Sequence, residues 1–235
     1  MNKWFGLLIV VVFAVAGFMA SRVSVVQIGK SPRATGRAII LLHGHGATPE
    51  DLEWLARALQ QLDSRWSILL APAPYRAGMS GRSWYPSTSA PSKAEYLKIL
   101  DEQRAVDRAV VDDVVKNLLK SGVSSSQIFI GGFSQGASVA LDYILHSGPE
   151  NVPGGLISLS GGAQDFDLEP LKNIKPFKAF LSHGLKDSVI GSSNTRKVEK
   201  ALSLAKHKVF SVYFQGNHEI PREVISKLGE FLKQN

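Results

Sequence analysis

The residues best placed to do chemistry begin with a serine between two glycines, in the stretch Gly132–Gly136. This stretch directly follows the apolar run Gln127–Ile130. A nucleophile at a sharp strand-to-helix turn needs a strained backbone and small residues two positions on either side. Ala137 and Leu141 then recur at helical spacing, so a helix N-terminus would point its amides towards the serine. The pattern favours nucleophilic catalysis by Ser134.

A serine hydroxyl is a poor nucleophile at neutral pH, so it needs a base to take its proton and a carboxylate to orient that base. In a strand–turn–helix scaffold of this kind, those partners follow the serine in loops after later strands. Asp187 follows the apolar run Lys178–His183, and His218 follows the run Lys208–Phe214. We therefore predict Ser134 as the nucleophile, His218 as the base and Asp187 as the carboxylate that orients the base. The alternative is that these are ordinary loop residues.

Acyl transfer also requires two backbone amides that stabilise the negative charge on the former carbonyl oxygen. The residue after the nucleophile, Gln135, would supply one of them. The loop Leu42–Gly46 is expected to supply the other, because its glycines let the backbone approach a substrate closely. His43 and His45 could suggest a metal pair, but they share a tight turn with no third ligand nearby, so we predict no metal. Packing beneath the loop is the favoured interpretation of His43.

The elements that must hold these residues alternate between strand-length apolar runs and helical patterns. That alternation is typical of a mostly parallel sheet with helices on both faces, and near-continuous apolar runs fit strands buried on both sides. The segment Pro72–Pro91 breaks the alternation and is predicted as a long irregular loop, either functional or packed by its own aromatics. The predicted strands are Ala38–Leu42, Ser67–Ala71, Gln127–Phe133, Gly155–Ser160, Lys178–His183 and Lys208–Phe214, and the predicted helices are Glu50–Leu62 and Ser92–Leu119.

Length and composition narrow the class of protein. A chain of 235 residues can form one substantial core, so residues 37–235 are predicted as a single catalytic domain. The absence of cysteine excludes disulfides, thiolate metal sites and a cysteine nucleophile. The formal net charge of +7 is spread over predicted helix surfaces without interleaved aromatics, so no nucleic-acid partner is expected.

The N-terminus carries a separate signal. In residues 1–20, Lys3 precedes the uncharged run Trp4–Ala20, which is typical of a secretory signal peptide. An uncleaved membrane anchor is the competing interpretation, because the run is at the short limit for a spanning helix. Residues 21–36 are predicted as a linker with a short edge strand at Val23–Gln27. The expected location is therefore periplasmic or extracellular, with inner-membrane anchoring as the alternative.

Five segments together resemble the phospholipase/carboxylesterase family of α/β-hydrolases, which includes the acyl-protein thioesterases. These segments are Leu41–Gly46, Ser83–Tyr85, Gly131–Gly136, His183–Asp187 and Gly216–Ile220. The resemblance extends from Arg37 to the C-terminus and implies an α/β-hydrolase fold. It implies the same Ser134, Asp187 and His218 triad. It also implies an oxyanion hole from the His45 and Gln135 amides, and an acyl pocket lined by Trp84.

The expected activity is hydrolysis of carboxylic esters through an acyl-enzyme, with no cofactor and with a small-molecule ester, lipid esters included, as substrate. Pro86 and Ala47 stand where the family commonly has acidic residues, and the N-terminus differs from that of the cytosolic thioesterases. Small or medium acyl chains are therefore expected ahead of lysophospholipids or protein thioesters. The alternative of another class is a non-catalytic, membrane-tethered binding module on the same fold.

Overall fold

A computed structural model describes the residues Val10–Val11, 24–86, 89–148, 152–163 and 165–235. Within these residues the chain forms ten strands and six α-helices. The strands are β1 (Val10–Val11), β2 (Val25–Ile28), β3 (Ala38–Leu42), β4 (Ser67–Ala71), β5 (Tyr75–Ala77), β6 (Gly81–Ser83), β7 (Ile128–Phe133), β8 (Gly155–Leu159), β9 (Lys178–Gly184) and β10 (Lys208–Phe214). The helices are α1 (Pro32–Thr35), α2 (Glu53–Leu62), α3 (Lys93–Lys120), α4 (Gln135–His146), α5 (Ser193–Leu204) and α6 (Arg222–Lys233).

Eight of the strands form one sheet in the order β1-β2-β4-β3-β7-β8-β9-β10. The six strands from β4 to β10 in that order are parallel, and β1 and β2 pair antiparallel at one edge. One hydrophobic cluster packs α3, α4 and α5 on one face, and a second packs α2 and α6 on the other. The prediction of a mostly parallel sheet covered by helices on both faces is confirmed.

All six predicted strands are present, with ends that differ by at most one residue. The predicted helix at Glu50–Leu62 begins as a 3-10 turn, Pro49–Leu52, before α2 continues it. Its start is set by a capping box in which the Thr48 backbone N–H donates to the Asp51 carboxylate at 2.7 Å. These short-range signals therefore located the central elements well.

The prediction of an irregular loop over Pro72–Pro91 is wrong in its first half, because β5 and β6 pair there as an antiparallel hairpin. The hairpin also joins the loop after β3. The Gly46 N–H donates to the Arg82 carbonyl at 2.8 Å, and the Arg82 N–H donates to the Ala47 carbonyl at 2.9 Å. Strands this short carry no apolar pattern of their own, so these long-range hydrogen bonds had no signal in the local sequence.

The predicted linker, residues 21–36, contains β2 and α1. Strand β2 pairs antiparallel with β4 and overlaps the edge strand predicted at Val23–Gln27. The segment 1–20, predicted as a signal peptide or anchor, lies outside the described residues except for Val10–Val11. Across the part of the chain that is described, no helix combines the length and apolar character needed to span a bilayer.

Helix α3 carries a carboxylic acid, Asp107, whose side chain is completely buried. Neither of its carboxyl oxygens has a hydrogen-bond partner among the described residues. Burial, together with the neighbouring charge of Asp142, raises the pKa of Asp107 to about 9. The folded protein therefore holds this proton at neutral pH, whereas the unfolded chain releases it near its ordinary value of 3.8.

Between those two pKa values the folded state binds one more proton than the unfolded state, so stability falls by roughly 1.4 kcal/mol per pH unit as pH rises. Asp107→Asn removes this titration. We therefore expect the variant to gain stability relative to wild type between about pH 5 and about pH 8, as measured by urea unfolding. Asp113→Asn, at a partly exposed position of α3, is the control. Equal pH slopes for wild type and Asp107→Asn would contradict the prediction.

Candidate active site

Ser134 occupies the turn between the end of β7 and the start of α4, with φ 56° and ψ −120°. A positive φ is unfavourable for a residue with a side chain and persists only where the surroundings enforce it. Here the Ser134 N–H donates to the Leu159 carbonyl at 2.9 Å, and the Ser134 carbonyl accepts from the Ala137 N–H at 3.1 Å. This backbone holds the serine at the carboxyl edge of the sheet, as the glycine-flanked pattern predicted.

The two glycines that flank the serine are required by close backbone contacts with β3. A Cβ atom on Gly132 would lie 2.3 Å from the Leu42 carbonyl oxygen, and one on Gly136 would lie 2.1 Å from the same atom. Both distances are far inside van der Waals contact. The elbow can therefore approach the loop after β3 only with glycine at both positions.

Gly136→Ala is expected to destabilise the fold by about 1–3 kcal/mol, because the new methyl group meets rigid backbone rather than a movable side chain. Urea unfolding monitored by tryptophan fluorescence measures this change. Gly148→Ala is the matched control, since no heavy atom lies within 4 Å of its added Cβ. Equal stabilities for the two variants would contradict the close packing of the elbow.

Asp187 and His218, predicted from separate loops after β9 and β10, lie together in the structure. The His218 Nδ1 atom is 2.7 Å from the Asp187 Oδ2 atom. The other oxygen, Oδ1, accepts the backbone N–H groups of Val189 and Ile190, each at 2.9 Å. Since an ionised carboxylate only accepts hydrogen bonds, His218 carries a proton on Nδ1, which leaves Nε2 free to accept one.

The environment keeps Asp187 ionised. Burial alone would raise the pKa of this carboxyl, but the hydrogen bonds from His218 and from the two backbone N–H groups outweigh it and lower the pKa below its ordinary value. The side chain of Asp187 has no exposed surface, whereas His218 keeps 15% of its side-chain surface. The acid is thus shielded from water while the histidine ring remains accessible.

The His218 ring lies against Phe133, the residue directly before the serine, with ring centroids 4.7 Å apart. The structure therefore brings all three predicted catalytic residues to one place. No hydrogen bond joins the Ser134 hydroxyl and the His218 ring among the described residues. Such bonds are often long in unliganded active sites and shorten when substrate binds.

The loop after β3 lies directly beside the serine. An added Cβ on Gly44 would stand 3.4 Å from the Ser134 Cβ atom, in ordinary contact. The neighbouring His45 is fixed by its side chain, whose Nδ1 atom is 3.0 Å from the Ser83 hydroxyl. Within the described chain, the backbone N–H groups of His45 and Gln135 have no acceptor. Two free amides therefore flank the elbow at the positions predicted for an oxyanion hole.

Trp84 lies beneath this loop and has no exposed surface. Its Nε1–H group donates to the His43 carbonyl at 2.9 Å, and its ring lies 5.6 Å from the His43 ring. The structure thus places Trp84 where it supports the loop beside the serine. The sequence resemblance implied an acyl-pocket residue at this position, and that role stays a prediction.

His43 is completely buried, in agreement with the prediction that it packs beneath the loop. Its Nδ1–H group donates to the Gly44 carbonyl at 2.8 Å, and its Nε2 atom accepts the Ala73 N–H at 3.3 Å. Burial lowers the pKa of His43, so the ring is neutral and acts as a fixed brace. No group of potential metal ligands was found among the described residues.

The predicted role of Gln135 involves only its backbone N–H group, but its side chain also connects the elbow to the residues directly after β6. Its Oε1 atom accepts the Trp84 N–H at 2.9 Å, and its Nε2–H group donates to the Tyr85 carbonyl at 2.7 Å. A polar side chain at the first position of a buried and largely apolar helix was the available signal.

A mostly parallel sheet with helices on both faces, a strained serine elbow and an Asp–His pair with a buried carboxylate together define the class of α/β-hydrolases. The sequence model of the phospholipase/carboxylesterase family matches residues 22–235 of this chain. The chain therefore belongs to this family and is a hydrolase, as predicted.

Relatives and solved structures agree with that assignment. The chain is 27% identical to mouse (Mus musculus) lysophospholipase-like protein 1 over 84% of this chain and 87% of the relative. It is also 27% identical to acyl-protein thioesterase 1 of Eremothecium gossypii, with the same two coverages. The crystal structure of esterase PE8 superimposes with a TM-score of 0.75, covering 88% of this chain and 96% of that one, at 22% identity. The last comparison supports the fold alone.

The expected location is wrong. The N-terminal run had predicted a periplasmic or extracellular protein, or one anchored in the inner membrane. The matched relatives include the cytosolic acyl-protein thioesterases of yeast and fungi, such as those of Eremothecium gossypii and Saccharomyces cerevisiae. An apolar run at a chain terminus is a weak signal, because its length alone does not distinguish an export signal from other apolar segments.

Proposed function

We propose that this chain hydrolyses acyl esters, thioesters included, through a covalent acyl-enzyme formed on Ser134. The observation that carries the proposal is the hydrogen bond of 2.7 Å between the accessible His218 ring and the buried Asp187 carboxylate, beside the strained serine turn. A serine held in this geometry next to a correctly tautomerised histidine is the arrangement that nucleophilic acyl transfer requires.

The mechanism follows from the groups at the site. His218 takes the Ser134 proton on Nε2 as the hydroxyl oxygen attacks the carbonyl carbon, and Asp187 stabilises the resulting imidazolium. The His45 and Gln135 amides would stabilise the oxyanion. The imidazolium then protonates the departing alcohol or thiol, which leaves an acyl ester on the serine. His218 next activates a water that releases the carboxylic acid and restores the hydroxyl.

The relatives favour thioester or lysophospholipid substrates over the small or medium esters expected from the sequence. They carry the names acyl-protein thioesterase and lysophospholipase-like protein. A thiolate leaves more readily than an alkoxide and depends less on protonation by the His218 imidazolium. One Ser–His–Asp site can therefore act on sulfur and oxygen esters of the same acyl group. We therefore propose long-chain acyl thioesters and lysophospholipids as the substrate class.

A substrate panel tests this proposal with the purified full chain. It contains p-nitrophenyl esters from acetyl to palmitoyl, an S-palmitoylated peptide and lysophosphatidylcholine. We expect kcat/KM to rise with acyl length and the thioester to be hydrolysed. A preference for acetyl or butyryl esters would overturn the substrate class. If no member of the panel is hydrolysed and a fluorophosphonate does not label the protein, the hydrolytic mechanism itself is overturned.

A further inference from the structure

His183 is a second histidine beside the acidic member of the site, and it comes from β9 rather than from the loop that carries His218. Its side chain and that of Asp187 both have no exposed surface. The His183 Nε2 atom lies 3.1 Å from the Asp187 Oδ2 atom. That is the same oxygen that accepts the His218 Nδ1–H group at 2.7 Å. One carboxylate oxygen is therefore approached by two imidazole rings.

The tautomer of His183 is determined by its neighbours. Its Nε2 atom lies 2.7 Å from the Ile190 carbonyl oxygen, and its Nδ1 atom lies 2.7 Å from the Thr195 hydroxyl. A carbonyl oxygen can only accept, so the proton sits on Nε2. In the neutral ring Nδ1 then accepts from the hydroxyl of Thr195, which is itself buried at the start of α5.

These contacts close a small circuit around the acid. Ile190 donates its backbone N–H to the Asp187 Oδ1 atom at 2.9 Å and offers its carbonyl oxygen to His183. The His183 ring therefore fixes the peptide that holds one carboxylate oxygen, and its Nε2 atom lies 3.1 Å from the other. Rotation of the carboxylate would break contacts at both oxygens. Packing of His183 at the end of β9 would not by itself require this set of polar contacts.

We propose that His183, oriented by Thr195, is a positioning residue that holds Asp187 in the geometry His218 needs. This inference rests on the proposed function, in which Asp187 orients His218 and stabilises its imidazolium. His183 contacts no reacting atom, so its effect is transmitted only through the carboxylate. Residues that orient metal ligands in this way typically contribute about 10–100-fold in affinity or activity, and we expect an effect of the same order for a residue that orients Asp187.

The test compares His183→Leu, which keeps a buried apolar volume but loses both ring nitrogens, with His183→Gln, whose amide N–H can replace the donor to Ile190. Active sites are counted with a fluorophosphonate, so that kcat is expressed per labelled serine. We expect His183→Leu to lower kcat about 10–100-fold with little change in KM, and His183→Gln to recover part of the loss. Thr195→Val, which leaves the ring in place, should cost less.

A pH profile separates positioning from a merely structural role. Loss of the His183 ring nitrogen removes a positively polarised group 3.1 Å from the Asp187 oxygen that accepts from His218, which strengthens the attraction between that carboxylate and an imidazolium. The acid limb of kcat/KM should therefore move to higher pH in His183→Leu. Unchanged kcat per labelled site in folded His183→Leu would overturn the inference. Wild-type rates together with an unchanged acid limb in both His183→Gln and Thr195→Val would also overturn it.

Asp187→Asn is measured in the same series. If it abolishes activity while the His183 variants behave as wild type, only the positioning role fails. If Asp187→Asn is itself fully active, the proposed catalytic mechanism fails. If His183→Leu does not fold, the Gln and Val variants decide the question.

Discussion

Ser134→Ala should lower kcat at least about 10,000-fold, which leaves only the residual rate provided by substrate binding and the oxyanion amides. The substitution removes one oxygen atom and retains Cβ at a strained position, so the fold should persist. The Ser134 backbone bonds to Leu159 and Ala137 do not involve the hydroxyl. Hydrolysis of a p-nitrophenyl ester by the purified variant measures the loss.

Labelling by a fluorophosphonate gives an independent readout of the same change. Wild type should incorporate one probe per chain, and Ser134→Ala should incorporate none. Ser203→Ala, at an exposed position of α5, is the matched control and should retain both labelling and activity. Full labelling of folded Ser134→Ala would place the nucleophile at another residue and contradict the proposed mechanism.

Asp187→Asn should lower kcat by about 10,000-fold near neutral pH, nearly as much as loss of the nucleophile. The structure explains why so small a change has so large an effect. The Oδ1 position accepts two backbone N–H groups, from Val189 and Ile190, so the amide oxygen must occupy it. The amide NH₂ group is then directed at His218.

That NH₂ group would meet the Nδ1–H group of His218, donor against donor. The ring relieves this conflict by moving its proton to Nε2, which is the tautomer that cannot take a proton from Ser134. KM should change little, because Asp187 is buried and does not contact substrate. A matched Asp165→Asn variant, altered at a partly exposed loop position, should keep wild-type kcat. Retention of more than about a tenth of kcat in Asp187→Asn would contradict the assigned role.

Local sequence patterns predicted the central part of this fold because each one reflects a short-range requirement. Continuous apolar runs such as Ala38–Leu42 and Ser67–Ala71 are strands buried on both faces, and they occur where predicted. The glycines at 132 and 136 lie two residues on either side of a strained serine. Both pack against the Leu42 carbonyl group at the end of the neighbouring strand β3. The order of serine, acid and base along the chain reflects the order of the strands that carry them.

Features that depend on distant partners were not visible in the same way. The β5–β6 hairpin is held by hydrogen bonds to residues 46 and 47, and the Gln135 side chain connects the elbow to residues 84 and 85. Asp107 lies in a long amphipathic helix where an acid usually faces water, yet it is buried with no hydrogen-bond partner in the part of the chain that the structure describes. Each of these depends on what another segment places nearby.

The sequence by itself predicted the fold class, the order of the strands along the chain, and the candidate residues Ser134, Asp187 and His218. It could do so because strand burial, turn sterics and catalytic residue types are local properties. Only the tertiary structure decided how these groups are held, since hydrogen bonds from His218 to Asp187 and from Trp84 to His43 join residues that packing brings together. The position of each of these side chains depends on contacts between segments that are distant in the sequence. A local sequence pattern does not show which distant segments will be in contact.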